Sequence, residues 1–344
     1  MSKTVAIIGA GAAGLEASAI LNSLGYSVSI IEKSEALGGH INNWNELFPD
    51  RRPASEVVDH LIRNIDTSIP VYYNKDIQSI KPFSGKFIIS ATDGWVMNSD
   101  AVLITTGFRL FEAGRKEEYG YGIYDHVITS ADLETLLKEK DGIKNRLGKS
   151  PSRVGFIHCV GSRDEKSGNI YCSKVCCITA VKQAIEIKEL FPESEVFCFY
   201  MDLRMFGRHY EELYKEAQEK HAIQFIRGRL SESTEDKSGS IVVKVEDTLL
   251  GKPLKMTVDM LVLMVGMEAA ERNSQLSASL GFKASDDRFL NTADAHLFSN
   301  ISEVPGVFLA GTTTGPKTLT ETLTDARSAA LALHDYLIQE PVVE

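Results

Sequence analysis

The sequence predicts an α/β protein built from two doubly wound, dinucleotide-binding-type domains. Three observations carry the prediction. The chain opens on a strand, a Gly-x-Gly-x-x-Gly turn, a helix and a second strand ending in an acid. A second alternation of strands and helices fills its middle, and a strand, a glycine turn and a long helix close it. At 344 residues the chain has room for about two domains.

Each element has a local reason. Val5–Ile8 is a short apolar run and reads as a buried strand. Ala12–Leu24 carries Ala13, Ala17, Ile20, Leu21 and Leu24 at helical spacing and stops at Gly25. Val28–Ile31 is a second strand, closed by Glu32. Tyr72–Ile80, Lys86–Ala91 and Ala101–Thr105 have strand content, with turns at Gly94 and Gly107. Gly114–Lys149 is polar and irregular apart from a helix expected over Ser130–Lys140, and a domain junction is placed there. Val154–Cys159, Glu195–Met201, Ile223–Ile226, Ile241–Val245 and Val258–Val265 read as strands; Val175–Leu190 and His209–Lys220 read as helices. Ser231–Ser240 lacks large apolar residues and reads as a solvated loop. A strand at Gly306–Ala310 and a helix at Leu319–Ile338 complete the chain. The expected domains are therefore 1–112 with 269–344, built from both ends, and 113–268 inserted between them.

Composition narrows the function. The chain has 37 Lys and Arg against 47 Asp and Glu, a net charge of −10, which argues against a nucleic-acid partner. The longest apolar run, around Met260–Gly266, falls far short of the ~20 residues that cross a bilayer, so no direct membrane insertion is expected. Lys3 and the apolar residues after it imitate a signal peptide, but Glu16 interrupts the run and its glycines belong to the motif below. A cytoplasmic location is expected.

In that motif Gly9 permits a tight turn, Gly11 lets the backbone approach a pyrophosphate, and Gly14 lets helix and strand pack closely. Ala12 and Ala13 start the helix, whose positive end meets the phosphates. Glu32 is placed to accept from a ribose 2′-hydroxyl and disfavours a 2′-phosphate by like-charge repulsion. Two further segments favour FAD over NAD. Gly38-Gly39-His40 supplies tight backbone along an extended cofactor. Gly306 through Gly311 is similar to the second flavin-binding segment of two-dinucleotide-domain flavoproteins, although Thr312 stands where those proteins usually have Asp. A helix starting at Lys317–Leu319 aims its dipole at the flavin pyrimidine edge. The Thr105-Thr106-Gly107 turn resembles the strand end that lines the flavin.

Cys159, Cys172, Cys176 and Cys177 fall in the spacing Cys-x12-Cys-x3-Cys-Cys; Cys198 stands apart on a strand as a buried thiol. Four separate core thiols, a redox dithiol, structural zinc and a 4Fe–4S cluster are the competing readings. The dithiol has one intervening residue too many, and zinc prefers paired knuckles. The cluster needs one thiolate per iron, and adjacent cysteines can serve two corners of a cube. Cys176 and Cys177 also open a helix, whose N-terminal dipole favours an anionic cluster. The cysteines occupy the turn where a nicotinamide-binding domain carries glycines. Cys159-Val160-Gly161-Ser162-Arg163-Asp164 has too few glycines for a pyrophosphate, which weakens NAD(P)H binding without excluding it.

The runs Cys159 to Glu165 and Tyr171-Cys172-Ser173-Lys174-Val175-Cys176-Cys177 strongly resemble HdrA, the flavin-bearing component of heterodisulfide reductase. Phe199 to Arg204, Phe225 to Arg229, and Ala310-Gly311 through Gly315-Pro316-Lys317 match it as well. The resemblance implies a thioredoxin-reductase-like flavoprotein core with one 4Fe–4S cluster on Cys159, Cys172, Cys176 and Cys177. It implies that Lys182 lies near flavin N5 and tunes it. It also implies cofactor contacts by Lys33, Gly39, His40, Ile77, Thr105, Thr106, Gly107, Gly311, Thr312, Pro316, Lys317, Thr318 and Leu319, with Gly9, Gly11, Ala12, Ala13, Gly14 and Glu32. Longer relatives carry extra cysteines near the first glycine pair; this chain has none before Cys159. That stripped-down form is similar to the short HdrA of the heterodisulfide-reductase-like complex of sulfur-oxidising prokaryotes, and to flavin subunits of quinone-interacting membrane-associated oxidoreductase. The expected function is a cytoplasmic FAD and 4Fe–4S electron-transfer subunit in metabolism of protein- or lipoate-bound sulfur. Homodimerisation and further iron–sulfur and catalytic subunits are its expected partners. An NAD(P)H-dependent flavin disulfide reductase is the alternative.

Overall fold

The computed structural model describes residues 2–339. The elements that matter for the site run, in chain order, as β1 (Thr4–Ile8), α1 (Ala12–Ser23), β2 (Ser27–Ile31), β3 (Val71–Tyr72), β4 (Ala101–Ile104), β5 (Val127–Thr129), α2 (Ser130–Lys138), β6 (Arg153–Val160), α3 (Cys176–Leu190), β7 (Glu195–Tyr200), β8 (Gln224–Arg227), β9 (Met260–Val265), β10 (Val307–Leu309) and α4 (Leu319–Ile338).

The chain divides into two units. The first comprises residues 1–42, 55–109 and 268–344; the second comprises 43–54 and 110–267. The short segment 43–54, which the sequence places with the first domain, folds with the second unit. Its Asn45 explains why: the Asn45 backbone N–H donates to Glu134 (2.7 Å) and the Asn45 amide to Glu186 (2.9 Å), tying it to α2 and α3.

The first unit holds a five-stranded sheet in the order β10-β4-β1-β2-β3, with every pair parallel. Its central strands are mostly apolar and buried because both faces are covered; Ala101–Ile104 is wholly buried. The expected strand Tyr72–Ile80 is two strands in different sheets. Val71–Tyr72 edges the parallel sheet, and Ile77–Phe83 joins an antiparallel meander with Lys86–Ala91 and Val96–Ser99. The reason is local: Asn74 has φ +56, a left-handed break that ends the first strand.

The second unit repeats the plan, with parallel order β5-β9-β6-β7-β8. Thus β6 corresponds to β1, and α3 to α1. A three-stranded antiparallel sheet, Leu230–Glu235, Ile241–Asp247 and Lys252–Val258, packs within this unit. Half of the segment expected to be a solvated loop, Ser231–Glu235, is therefore strand. Its inward positions are Leu230 and Ser233, and Ser233 is buried because its hydroxyl donates to the Tyr119 carbonyl (2.8 Å). A satisfied serine in a core position gives no apolar alternation to read.

Candidate functional site

In the first unit the glycine turn meets its neighbours at backbone distance. A side chain at Gly14 would place its Cβ 1.9 Å from the Gly9 carbonyl oxygen, and one at Gly9 would stand 2.5 Å from that of Thr105. The Thr105 hydroxyl donates to the Ile8 and Gly9 carbonyls (3.0 and 2.9 Å), locking the ends of β1 and β4 together. Gly39 brings its backbone back over the turn, where a Cβ would lie 3.0 Å from Gly11 Cα, and Gly311 approaches Ala13 as closely, at 2.9 Å. The structure thus gathers Gly9, Gly11, Ala12, Ala13, Gly14, Gly39, Thr105 and Gly311 around the start of α1.

Gly11 differs from these: a Cβ there meets nothing within 4 Å. It is the N-cap of α1, with no side-chain cap and no acid in the first turn. By contrast, Thr129 with Asp132 and Thr318 with Glu321 form full capping boxes on α2 and α4. The first amides of α1 therefore have no side-chain cap, and Gly11 leaves open space before them, a cradle that fits a pyrophosphate. Glu32 is buried and already accepts from Ala10 N–H (2.7 Å) and from the N–H and hydroxyl of Ser34 (2.8 and 2.7 Å). A carboxylate has about four acceptor positions, so one remains for a ribose hydroxyl. Lys33 is exposed. His40 stacks on Phe108 (centroids 4.1 Å apart, planes at 18°) and bonds through Nε2 to the Phe108 carbonyl at 2.8 Å; burial pushes its pKa down. Ile77 is buried in the meander's first strand.

At the other end of this site Thr106 bonds to Asn273 (2.7 Å) and Thr313 (2.8 Å), and Gly107 lies beside the Thr312 hydroxyl. Thr312 is buried. Asp325, in the second turn of α4, accepts from Gly311 N–H (2.7 Å) and from Asn300 (2.7 Å). Lys317 donates to the Gly311 carbonyl (2.9 Å), and Pro316, Thr318 and Leu319 lead into the helix half-buried.

In the second unit Cys159 sits on β6 at a register shift against β9, with φ +60. Gly161, Arg163 and Lys174 also take positive φ, so the loop between β6 and α3 is tightly coiled. Gly161 is obligatory there, because a Cβ would stand 2.0 Å from the Phe111 ring. Cys176 and Cys177 are the first residues of α3, which has no side-chain cap and no acid in its first turn. Cys159, Cys176 and Cys177 are buried and linked: Cys176 is the thiol hydrogen-bonded to both others. That pushes the Cys176 thiol up, while the same bond draws Cys159 and Cys177 down against the opposing effect of burial. His158 helps to lower Cys177. Cys172 accepts from Lys174 N–H at 3.3 Å, and Arg163 lies within electrostatic reach of both Cys159 and Cys172. Cys198 is fully buried, and burial raises its thiol pKa strongly.

All five cysteines are free thiols. Among the described residues no three His, Cys, Asp or Glu side chains converge on one point as ligands of a single metal ion. A cluster asks for a different arrangement, with one thiolate at each of four separate corners. The polar atoms around the cysteines fit such a group. Of nine buried side-chain N and O atoms without a hydrogen-bond partner among the described residues, four lie in His158, Ser162 and Arg163. Buried polar groups are nearly always satisfied, so this concentration beside Cys159 marks a place where acceptors or donors belong.

Lys182 is 1% exposed in the second unit. Its ammonium lies 2.6 Å from Glu134 Oε1 and 3.0 Å from Glu186 Oε2, and donates to the Glu46 carbonyl at 3.1 Å. Two carboxylates face one cation. Burial raises the Glu186 pKa to about 7, opposed by the Lys182 charge and reinforced by Glu134.

The NAD(P)-binding Rossmann-like domain family matches residues 7–75. Thioredoxin reductase of T. acidophilum superposes with a TM-score of 0.68 at 23% identity, covering 98% of this chain and 100% of that one. The thioredoxin reductase of Lactococcus lactis gives the same score at 16% identity, covering 98% and 99%. The fold is thus the thioredoxin-reductase-like, two-Rossmann-unit flavoprotein fold. The HdrA of the H2/formate:CoB-CoM heterodisulfide,ferredoxin reductase of Methanococcus maripaludis is 41% identical over 238 residues, 67% of this chain. An HdrA of Methanopyrus kandleri, an iron–sulfur subunit of its CoB–CoM heterodisulfide reductase, is 42% identical over 239 residues. Over two-thirds of its length the chain is homologous to HdrA. It spans 36% of the length of each of those two relatives. The HdrA of the ferredoxin/F420H2-dependent CoB-CoM heterodisulfide reductase of Methanosarcina acetivorans aligns with 96% of this chain at 28% identity, covering 52% of its own length.

This HdrA homologue also uses residues that sequence reasoning missed. Phe108 under His40, Ser34 on Glu32, Asp325 at the second glycine turn and Glu134 beside Lys182 are long-range or loop partners; Glu186, also beside Lys182, is local. Only Glu186, one helical turn after Lys182, had a spacing that signals contact.

Proposed function

We propose that this chain binds FAD in its first unit and a 4Fe–4S cluster on Cys159, Cys172, Cys176 and Cys177 in its second. It then acts as an electron-transfer oxidoreductase subunit of a cytoplasmic heterodisulfide-reductase-like complex. The observation that carries the reading is the replacement of a nucleotide turn by cysteines. In the first unit the start of α1 is an uncapped glycine cradle; at the corresponding start of α3 stand Cys176 and Cys177, with unpartnered polar atoms beside Cys159. When bound, FAD supplies two-electron chemistry and the cluster one-electron storage.

The chain's own residues have defined parts. The open amides of α1 bind the pyrophosphate, and Glu32 orients the ribose through its remaining acceptor position. The α4 N-terminus, capped by Thr318 and Glu321, directs its positive end towards the pyrimidine edge. Lys182 is assigned to flavin N5, with Glu134 and Glu186 governing how much of its charge is free. The α3 dipole favours the anionic cluster. Assembly as a homodimer with other iron–sulfur and catalytic subunits, and a role with protein- or lipoate-bound sulfur, belong to the same reading, as does the kinship with the short form of sulfur oxidisers. Among the described residues no helix is long and apolar enough to cross a membrane, in keeping with attachment through protein partners.

An anaerobic reductive titration of the cofactor-loaded chain tests this. Dithionite should deliver about three electrons per chain, two bleaching the flavin and one producing a cluster signal in electron paramagnetic resonance. Flavin bleaching by NADPH with two titratable thiols and no iron signal contradicts it and favours a disulfide reductase.

A further inference from the structure

His158 does not behave as a core residue. It lies on β6 between Ile157 and Cys159, 6% exposed, and neither ring nitrogen has a hydrogen-bond partner among the described residues. Its recorded aromatic neighbour, Tyr200, sits at a centroid distance of 6.4 Å with planes at 52°, a loose contact that does not bind the nitrogens. A neutral imidazole carries one N–H donor and one acceptor. Leaving either buried and unpaired is costly, and an apolar ring of the same size would fill the slot without that cost.

The surroundings limit what can satisfy it. On one side lies a small cavity of about 10 Å³ lined by Lys116, Tyr119, Asp164 and Arg229 together with His158 and Cys159. That is room for one water at most, enough for one ring nitrogen. That cavity is shared with Cys159, whose thiol is linked through Cys176 to Cys177. A partner for the second nitrogen has to come from what the neighbouring cysteines hold. Ser162, wholly buried with an unpartnered hydroxyl, and Arg163, with an unpartnered Nη1, stand in the same loop.

We propose that His158 is a positioning residue for the cluster, donating one ring N–H to a sulfur of the cluster or of its Cys177 ligand. The proposal rests on the cluster reading above and adds a residue that is not a ligand. A donor aimed at sulfur stabilises the more negative, reduced state, so it raises the reduction potential. No bond to iron and no proton transfer is involved.

The test uses the full chain loaded with iron and FAD. His158→Phe should keep about four irons and shift the cluster's midpoint downward. At the wild-type midpoint its ratio of reduced to oxidised cluster should fall about tenfold, which is ~59 mV for one electron. His158→Gln, which restores an N–H donor, should recover most of the shift. A second measurement does not depend on the Phe variant folding. In wild-type protein carrying 15N-histidine, pulsed electron paramagnetic resonance of the reduced cluster should show a weak 15N coupling that disappears in His158→Gln. A His158→Phe cluster with unchanged midpoint, or a labelled wild type without that coupling, overturns the proposal. Wild-type protein that holds flavin but takes up no iron speaks instead against the function proposed above.

Discussion

Two glycines of the first turn do opposite jobs, and substitution separates them. Gly14 is needed by the fold, because a Cβ there collides with the Gly9 carbonyl at 1.9 Å, which is backbone and cannot yield. Gly11 is not needed by the fold, because a Cβ there meets only open space, and its proposed part is in binding the ligand. Gly14→Val should therefore destabilise the apoprotein by roughly 1–3 kcal/mol or more, visible as a drop of several degrees in Tm. Gly11→Val should leave the apoprotein's Tm within a degree or two and weaken FAD binding at least about tenfold by filling the phosphate cradle. Calorimetry of the two apoproteins and a flavin titration check both. At this scale the sequence was most informative where one residue type has one physical use. The glycine spacing and Glu32 pointed to the α1 cradle, and the adjacent cysteines to the start of α3. Asp325 was invisible, because a carboxylate on a long helix looks like any solvated one until the Gly311 N–H is found against it.

Between elements, the buried charges joining α2 to α3 are the most consequential arrangement. Lys182 and Glu186 come from α3, Glu134 from α2, and Asn45 adds a neutral donor to Glu186. One ammonium cannot balance two ionised carboxylates away from water, so Glu186 titrates near 7 in place of 4.5. The sign follows. Between these values the folded chain holds a proton that the unfolded chain releases, so this group's stabilisation is full below about pH 4.5 and is lost as pH rises through about 7. Glu186→Gln should remove that dependence: relative to the wild type, the variant should gain stability between about pH 5 and about pH 8, as measured by denaturant unfolding of the two proteins side by side. An identical pH slope in both would contradict the assignment. None of this was legible in sequence, where Lys182 reads as one more helix lysine. The strand at Leu230–Glu235 was missed for a related reason: its buried Ser233 is satisfied by a backbone carbonyl 114 residues away.

For the whole molecule, the readable feature was repetition. Both units follow a central strand with a helix and two parallel strands on one side and put two more on the other, the outermost of which comes last in the first unit and first in the second. Short apolar strands and helix-spaced apolar residues announced that plan, because each strand is covered on both faces. The excursion of residues 43–54 into the second unit was not announced, since it depends on Asn45 meeting carboxylates far along the chain. Under the proposed function, two copies of one scaffold, one opening its helix with glycine and the other with a cysteine pair, hold two independent sites. The most direct test is iron and flavin content per chain after anaerobic loading, in wild type and in Cys176→Ala/Cys177→Ala. About one FAD and four irons are expected in the wild type, and full flavin with iron lost in the variant. A wild type that binds flavin alone, or a variant that retains its iron, would contradict the proposed function.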